Sequence, residues 1–141
     1  RLKSRGRLRA VSPVRTSPYP GFPTDDQAFM MAALLRSPGD TVFVENLFSN
    51  RYRHVEQMKK LGAQIQVREA AAIVSGVKTL RGAAVQATDL RGGAALVAAG
   101  LQAEGVTRVE EIHHIERGYA DIVADLAGLG ACIRKEDFYE S

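Results

Sequence analysis

The sequence has no tryptophan, a single cysteine (Cys132) and only 6% aromatic residues among its 141. One cysteine excludes an intramolecular disulfide and any cysteine-built zinc cluster. The longest unbroken apolar run, Ala28 to Leu35, falls far short of the roughly 20 residues that a bilayer-spanning helix needs. No signal peptide opens the chain, so a cytoplasmic protein with no membrane partner is expected. What is present is ordinary: 45% hydrophobic and 25% charged residues, which excludes a disordered tail or a collagen-like chain. A chain of this length is about one domain, and can bury roughly 70% of its unfolded surface without staples.

Acid is missing from residues 1–24, which hold Arg1, Lys3, Arg5, Arg7, Arg9 and Arg15. The remaining residues carry 13 basic and 16 acidic side chains, so the net charge of +3 belongs to the N-terminal stretch alone. Such a stretch could serve as a nucleic-acid arm. An exposed strand over residues 7–12, alternating in charge, accounts for it better. No aromatic is interleaved as single-strand binding prefers, and no nucleic-acid partner is expected. The chain also starts at Arg1 rather than methionine and reads as a piece of something longer.

Three prolines in Ser17–Pro23 remove donors and fix φ, so this segment is a rigid extended loop. Thr24 and Gln27 have the spacing of a capping box, opening a helix that is apolar on nearly all sides as far as Leu35 and stops at Pro38-Gly39. Thr41 to Glu45 reads as a strand. A second helix is expected from near Asn50, with Tyr52, Val55, Met58 and Leu61 on one face and Gly62 as its left-handed cap. Gln64 to Val67 and Ala72 to Val77 read as two short strands.

The same grammar then returns. Thr88-Asp89 repeats Thr24-Asp25, and Gly92 to Leu101 forms another helix apolar all round. Gly105 repeats Gly39, Thr107 to Ile112 repeats the strand, and Arg117 stands where Arg51 stood. Leu129 to Ile133 repeats Leu61 to Ile65, which puts Cys132 at an apolar strand start as a small core residue. The period of 64 to 68 residues exceeds that of common solenoids, so two copies sharing a closed α/β core fit better than an open array. Three segments follow: a basic strand and Pro-rich loop (1–23), a first repeat (24–87) and a second (88–141). Each repeat pairs an enclosed helix with one that faces solvent on one side, as central helices ringed by short sheets would require.

Asp25 and Asp89 both fall at the first turn of a buried helix. Acids there stabilise the helix dipole by about 0.3–1 kcal/mol, which explains them without function. A rigid approach loop also suits a catalytic carboxylate, although a base at a helix N-terminus needs burial to oppose the dipole. Arg91 lies on the opening turn of the second buried helix, and Arg51 and Arg117 are placed at the starts of two more. Guanidinium groups at such positions either pair with acids or line a cleft for phosphate or carboxylate. His113 and His114 beside Glu110 and Glu111 lie on or just past a strand with no i, i+4 histidine pair, so no metal is expected. Gly92-Gly93 reads as a close-packing site within its helix.

Four motifs in register resemble one family: Tyr19 to Asp25 (YPGFPTD), Glu45 to Arg51 (ENLFSNR), Ala87 to Arg91 (ATDLR) and His114 to Tyr119 (HIERGY). The chain is similar to the UDP-N-acetylglucosamine 1-carboxyvinyltransferase family of enolpyruvyl transferases, from about Leu8 to Arg134. Glu116 stands where that family commonly has aspartate. The resemblance implies an α/β fold, part of an inside-out α/β barrel built from repeated βαβαββ units, two of which are present. It implies transfer of the enolpyruvyl group of phosphoenolpyruvate to the 3′-hydroxyl of UDP-N-acetylglucosamine, with release of phosphate, in peptidoglycan synthesis. No metal or organic cofactor is implied. Asp25 would be the general base and, with Asp89 and Arg117, a catalytic residue; Leu47 would meet the UDP-sugar through its backbone with Arg51 nearby, Asp89 and Arg91 would front the cleft, and Arg117 would hold phosphoenolpyruvate. The partner that completes the site would be an N-terminal part of the same enzyme with a mobile reactive loop, to which Cys132 does not correspond. The chain alone is then expected to be inactive, and its uncovered edges invite self-association. A stand-alone binding or scaffold domain of the same fold is the alternative.

Overall fold

In a computed structural model, residues 3–11 and 13–137 are described. Arg1 of the basic stretch and Ser12 of the expected strand lie outside them. The elements in chain order are β1 (Val14–Arg15), a 3-10 turn (Thr24–Asp26), α1 (Gln27–Leu34), β2 (Asp40–Val44), α2 (Val55–Lys60), β3 (Gln64–Arg68), β4 (Ala71–Ser75), β5 (Ala84–Gln86), α3 (Leu90–Gly100), β6 (Arg108–Glu110), α4 (His113–Glu116) and α5 (Ile122–Gly128).

Four strands form one sheet in the order β1-β2-β4-β3. β1 runs parallel to β2, reached through α1, while β4 pairs antiparallel with both β2 and β3. The remaining strands, β5 and β6, are parallel and are likewise joined through a helix, α3. The two crossover helices pack on each other, and Gln102 clasps them by donating from Nε2 to the Ala32 and Ala98 carbonyls at 2.9 and 3.3 Å. This arrangement follows from their composition. α1 buries Ala28, Met31, Ala32 and Leu34, and α3 is buried from Gly92 through Val97. Helices apolar on most sides bury that surface only if other elements surround them. Phe43, Val74 and Ile65 close the main core from the sheet side, and Val55, Met58 and the C-cap residue Leu61 close it from α2. A smaller cluster of Ala87, Val97 and Ile115 is covered by Tyr119, Ile122 and Leu126.

Gly93 allows the close approach of α3 to its neighbours. A Cβ there would stand 2.8 Å from both Ala87 Cβ and Ile115 Cγ1. The helix ends also match. Gly62 (φ +93°) and Gly130 (φ +99°) each follow a helix, and Ala63 N–H and Ala131 N–H donate five residues back, to Met58 and Leu126. Both ends are Schellman caps, built where glycine takes a left-handed conformation without steric cost.

Several local expectations are corrected. Residues 7–11 form no strand, because the Ala10 and Val11 amides go to the Pro38 carbonyl and the Thr41 hydroxyl instead of a ladder. Thr24 forms no capping box: its hydroxyl donates to Glu45, and Gln27 is buried with neither side-chain amide atom hydrogen-bonded. α2 starts at Val55 rather than near Asn50, whose φ of +61° does not continue a helix. Residues 131–137 carry no strand, and Cys132 is exposed rather than in the core.

Candidate functional site

The rigid loop expected over Ser17–Pro23 is tied at both ends. The Ser17 amide donates to the Phe22 carbonyl at 3.0 Å and Gly21 N–H to Pro18 O at 2.8 Å, with a cis bond between Tyr19 and Pro20. The loop delivers Thr24 and Asp25 to the 3-10 turn ahead of α1. Because α1 packs on α3, the opening turn of α3 lies close by. Arg91 Nη2 stands 3.5 Å from Asp25 Oδ2, and Arg51 Nη1 stands 3.9 Å from Asp25 Oδ1. Three of the six residues singled out from the sequence thus meet at one carboxylate. These separations are longer than the ~2.7–2.9 Å of a tight charge-assisted bond, so donors on both guanidinium groups remain available to another anion.

Asp25 and Asp89 are not equivalent in structure. Asp89 is the N-cap of α3, with extended backbone (φ −164°), and its Oδ1 accepts the Gly92 amide at 2.7 Å while Thr88 donates to Oδ2 at 3.1 Å. Asp25 caps nothing, and its side chain is 52% exposed. The burial that a base at this position calls for is therefore not supplied by this chain's own packing. Arg117 departs from expectation too. It ends α4 rather than opening a helix, and α5 is capped by Asp121, whose Oδ1 accepts the Ala124 amide at 2.8 Å. The Arg117 guanidinium is exposed and meets His114 Nδ1 at 3.1 Å. The next residue, Gly118, abuts α3, since a Cβ on it would lie 2.6 Å from Leu90 Cδ2. Arg51 precedes α2 by four residues, in a turn, with its guanidinium 4.6 Å above the Phe48 ring.

Leu47 lies between Glu45 and Arg51 on a loop that bounds a depression of about 350 Å³, lined by residues 45–52 with Glu69 and Ala70. Its organiser was not visible in the sequence. Glu45 is only 5% exposed, although it lies one residue past a strand end, where an acid reads as surface. Its Oε1 accepts from Thr16 Oγ1 (2.9 Å), Leu47 N (3.2 Å) and Phe48 N (3.3 Å), and its Oε2 from Thr24 Oγ1 (3.0 Å). Tyr52 fixes the far end of the loop, with its hydroxyl 2.8 Å from Ala70 O and 3.3 Å from Phe43 O. Burial, reinforced by the Glu45 charge, pushes the Tyr52 hydroxyl up to about 12.

Beneath the site, His54 is buried with Nε2 unpartnered, and its Cβ lies 3.1 Å from where a Cβ on Gly92 would stand. Burial lowers its pKa to about 4 despite the opposing charge of Asp89, so the ring is neutral near pH 7. His113 and His114 open α4 rather than ending a strand, and their ring centroids lie 4.2 Å apart with the planes tilted by 35°. Among the described residues no group of three or more His, Cys, Asp or Glu side chains is placed to hold a metal ion. No helix there is long and apolar enough to cross a membrane.

The α/β layout with its two packed crossover helices is shared with known proteins. The chain belongs to the EPSP synthase (3-phosphoshikimate 1-carboxyvinyltransferase) family, which it matches over residues 3–126. Among curated relatives, it is 48% identical over 143 residues to the UDP-N-acetylglucosamine 1-carboxyvinyltransferase of Desulfofundulus thermocisternus, covering 98% of this chain and 59% of that one. It is 52% identical over 122 residues to UDP-N-acetylglucosamine 1-carboxyvinyltransferase 1 of Halalkalibacterium halodurans, covering 86% and 28%. Among solved structures, the enolpyruvyl transferase NikO from Streptomyces tendae superposes with a TM-score of 0.83 at 31% identity, over 93% of this chain and 30% of that one. An EPSP synthase from Acinetobacter baumannii shares the fold, with a TM-score of 0.59 at 21% identity over 77% of this chain and 26% of that one. The chain therefore spans between about a quarter and three-fifths of the length of these proteins.

Proposed function

We propose that this chain supplies one wall of the active site of a UDP-N-acetylglucosamine 1-carboxyvinyltransferase, a cytoplasmic enzyme of peptidoglycan synthesis and hence of cell shape and division. The observation that carries the reading is the Asp25 carboxylate held between Arg51 and Arg91. Relatives of that name at about half identity, matched along nearly the whole chain, support it.

In this reading Asp25 takes the proton from the sugar 3′-hydroxyl as the oxygen attacks C2 of phosphoenolpyruvate, whose C3 gains a proton from an acid elsewhere in the enzyme. The tetrahedral adduct then loses phosphate and a C3 proton, leaving the enol ether. Both the entering substrate and the departing phosphate are anionic, which calls for guanidinium donors placed beforehand. Arg91 and Arg117 meet that charge, while Arg51 and the Leu47 backbone face the UDP-sugar. The Leu47 amide is turned towards Glu45, so its carbonyl is the group left for the ligand. Asp89 holds the opening of α3, and with it Arg91, through its cap. The missing burial of Asp25 comes from bound substrate and from the N-terminal remainder of the enzyme, the partner that closes the cleft and keeps water from the adduct. That remainder, or a second copy, would also cover Val106 and Leu129, now 86% and 85% exposed. The same reading divides the chain into a lead-in of residues 1–23 and units of 24–87 and 88–141.

The test is phosphate release from phosphoenolpyruvate with UDP-N-acetylglucosamine, by this chain and by its N-terminally extended form, each with an Asp25→Asn control. Activity in the extended form alone, reduced about 10²–10⁴-fold in the control, is expected for a general base. Silence from a well-folded extended form would leave a binding or scaffold domain of the same fold.

A further inference from the structure

Glu45 has more polar partners than any site residue identified from the sequence, and they belong to three separate segments. Thr16 follows β1 and binds the loop in turn, its Oγ1 accepting the Asn46 amide at 2.9 Å. The Leu47 and Phe48 amides belong to the loop that bounds the depression. Thr24 belongs to the turn that carries Asp25. A carboxylate has about four acceptor sites, and here four donors converge on one that is almost wholly buried. Folding alone gives no reason to bury an acid at this place. A neutral side chain with ordinary ladder bonds would end the strand as well, whereas a buried charge carries a desolvation cost that its donors only offset.

We infer that Glu45 is a positioning residue for enolpyruvyl transfer: through Thr24 it fixes the turn that carries Asp25, and through the Leu47 and Phe48 amides it fixes the loop, setting the base and the sugar-nucleotide wall in one register. The inference rests on the reading of Asp25 as general base. Glu45 touches neither substrate in this scheme and acts through Thr24, whose hydroxyl links it to the Asp25 turn. Reaction at the sugar oxygen needs the carboxylate within hydrogen-bond reach, and a misplacement of about 1 Å can cost on the order of 10²-fold in rate. Such a shift changes kcat more than substrate affinity.

The experiment uses the full-length enzyme with Thr24→Val, Thr24→Ser, Glu45→Gln and Asp25→Asn. Thr24→Val keeps the shape of the side chain and removes only the hydroxyl. Thr24→Ser keeps the hydroxyl, and Glu45→Gln keeps an acceptor for the three donors at Oε1. The expected result is a fall in kcat of about 10–100-fold for Thr24→Val, with KM for both substrates within about threefold and a melting temperature close to that of the parent. Thr24→Ser restores kcat, and the Thr24→Val, Glu45→Gln double variant is no slower than the slower single one, because both act on the same link. Parental kcat in Thr24→Val, a change confined to KM, or additive losses in the double variant would overturn the inference while Asp25→Asn stays reduced by about 10²-fold or more. Near-parental activity in Asp25→Asn overturns the general-base reading and this inference together.

Discussion

Arg91 Nη2 stands 3.5 Å from Asp25 Oδ2 although 66 residues separate the two in sequence. Neither residue's local structure requires the contact. It exists because α1 and α3 pack along their apolar sides, which brings the opening turn of one beside the turn that precedes the other.

Arg91→Ala separates the function of this pair from its contribution to stability. Both side chains are about half exposed, and such ion pairs contribute about 0–1 kcal/mol. Under the proposed function, the expected outcome is a urea midpoint almost unchanged and phosphate release by the full-length enzyme down by about 10²-fold or more, as for the loss of one preorganised donor to an oxyanion. A large loss of stability would mean that the pair is structural.

Gly93→Ala tests the close approach of α3. Helix propensity alone favours alanine by about 1 kcal/mol. The added methyl would meet Ala87 Cβ and Ile115 Cγ1 at 2.8 Å, however, and the former has no torsion by which to move aside. Overpacking of this kind costs about 1–3 kcal/mol, so chemical denaturation should show a net destabilisation despite the propensity gain.

His54 makes stability depend on mildly acidic pH. Its folded pKa of about 4 lies below the ordinary 6.5, so between these values the unfolded chain binds a proton that the folded one does not. Stability is complete above pH 6.5 and is lost as pH falls towards 4, by an amount on the order of 3 kcal/mol if the whole shift is realised. Denaturation midpoints at pH 7.5, 6 and 5 should fall in turn, and His54→Gln should flatten the decline above pH 5.

Tyr52 gives the opposite dependence. Its hydroxyl is raised from 10.0 to about 12, so stability present below pH 10 is lost as pH climbs towards 12. Tyr52→Phe removes that alkaline limb. It should also cost about 0.5–1.5 kcal/mol at neutral pH, because the Ala70 and Phe43 carbonyls lose a donor.

Much of the fold was legible because punctuation and periodicity agree. The apolar stretches at 28–35 and 92–101, the cap at Gly62 and the proline loop before Asp25 each carry a local physical signal. The elements that were misplaced are those that tertiary contacts decide. Asn50 and Arg117 stand where a helix start is plausible from spacing, but a left-handed residue occupies one position and a helix end the other. Thr24 and Gln27 have the letters of a capping box, yet Glu45, 21 residues beyond Thr24, takes its hydroxyl. Asp25, Arg51 and Arg91 could be picked out singly as charges near helix ends. A shared cleft was expected for them, but that two guanidinium groups converge on the Asp25 carboxylate itself depends on how α1 and α3 pack. Glu45 and His54 were missed because an acid at a strand end and a histidine within an amphipathic helix look like solvated residues until their burial is known.

The clasp between α1 and α3 also sets an order of events during synthesis. A nascent chain extending to β4 has every strand of its four-stranded sheet, the proline loop, Glu45 and its donors, but only one of the two guanidinium groups. Arg91 arrives with α3, and the central helix pair closes over a sequence distance that slows folding relative to a bundle of local contacts. Until then α1 exposes the apolar side that α3 later covers. Between the completion of its sheet and the arrival of its second central helix, the emerging polypeptide therefore exposes that apolar side to aggregation and to proteases.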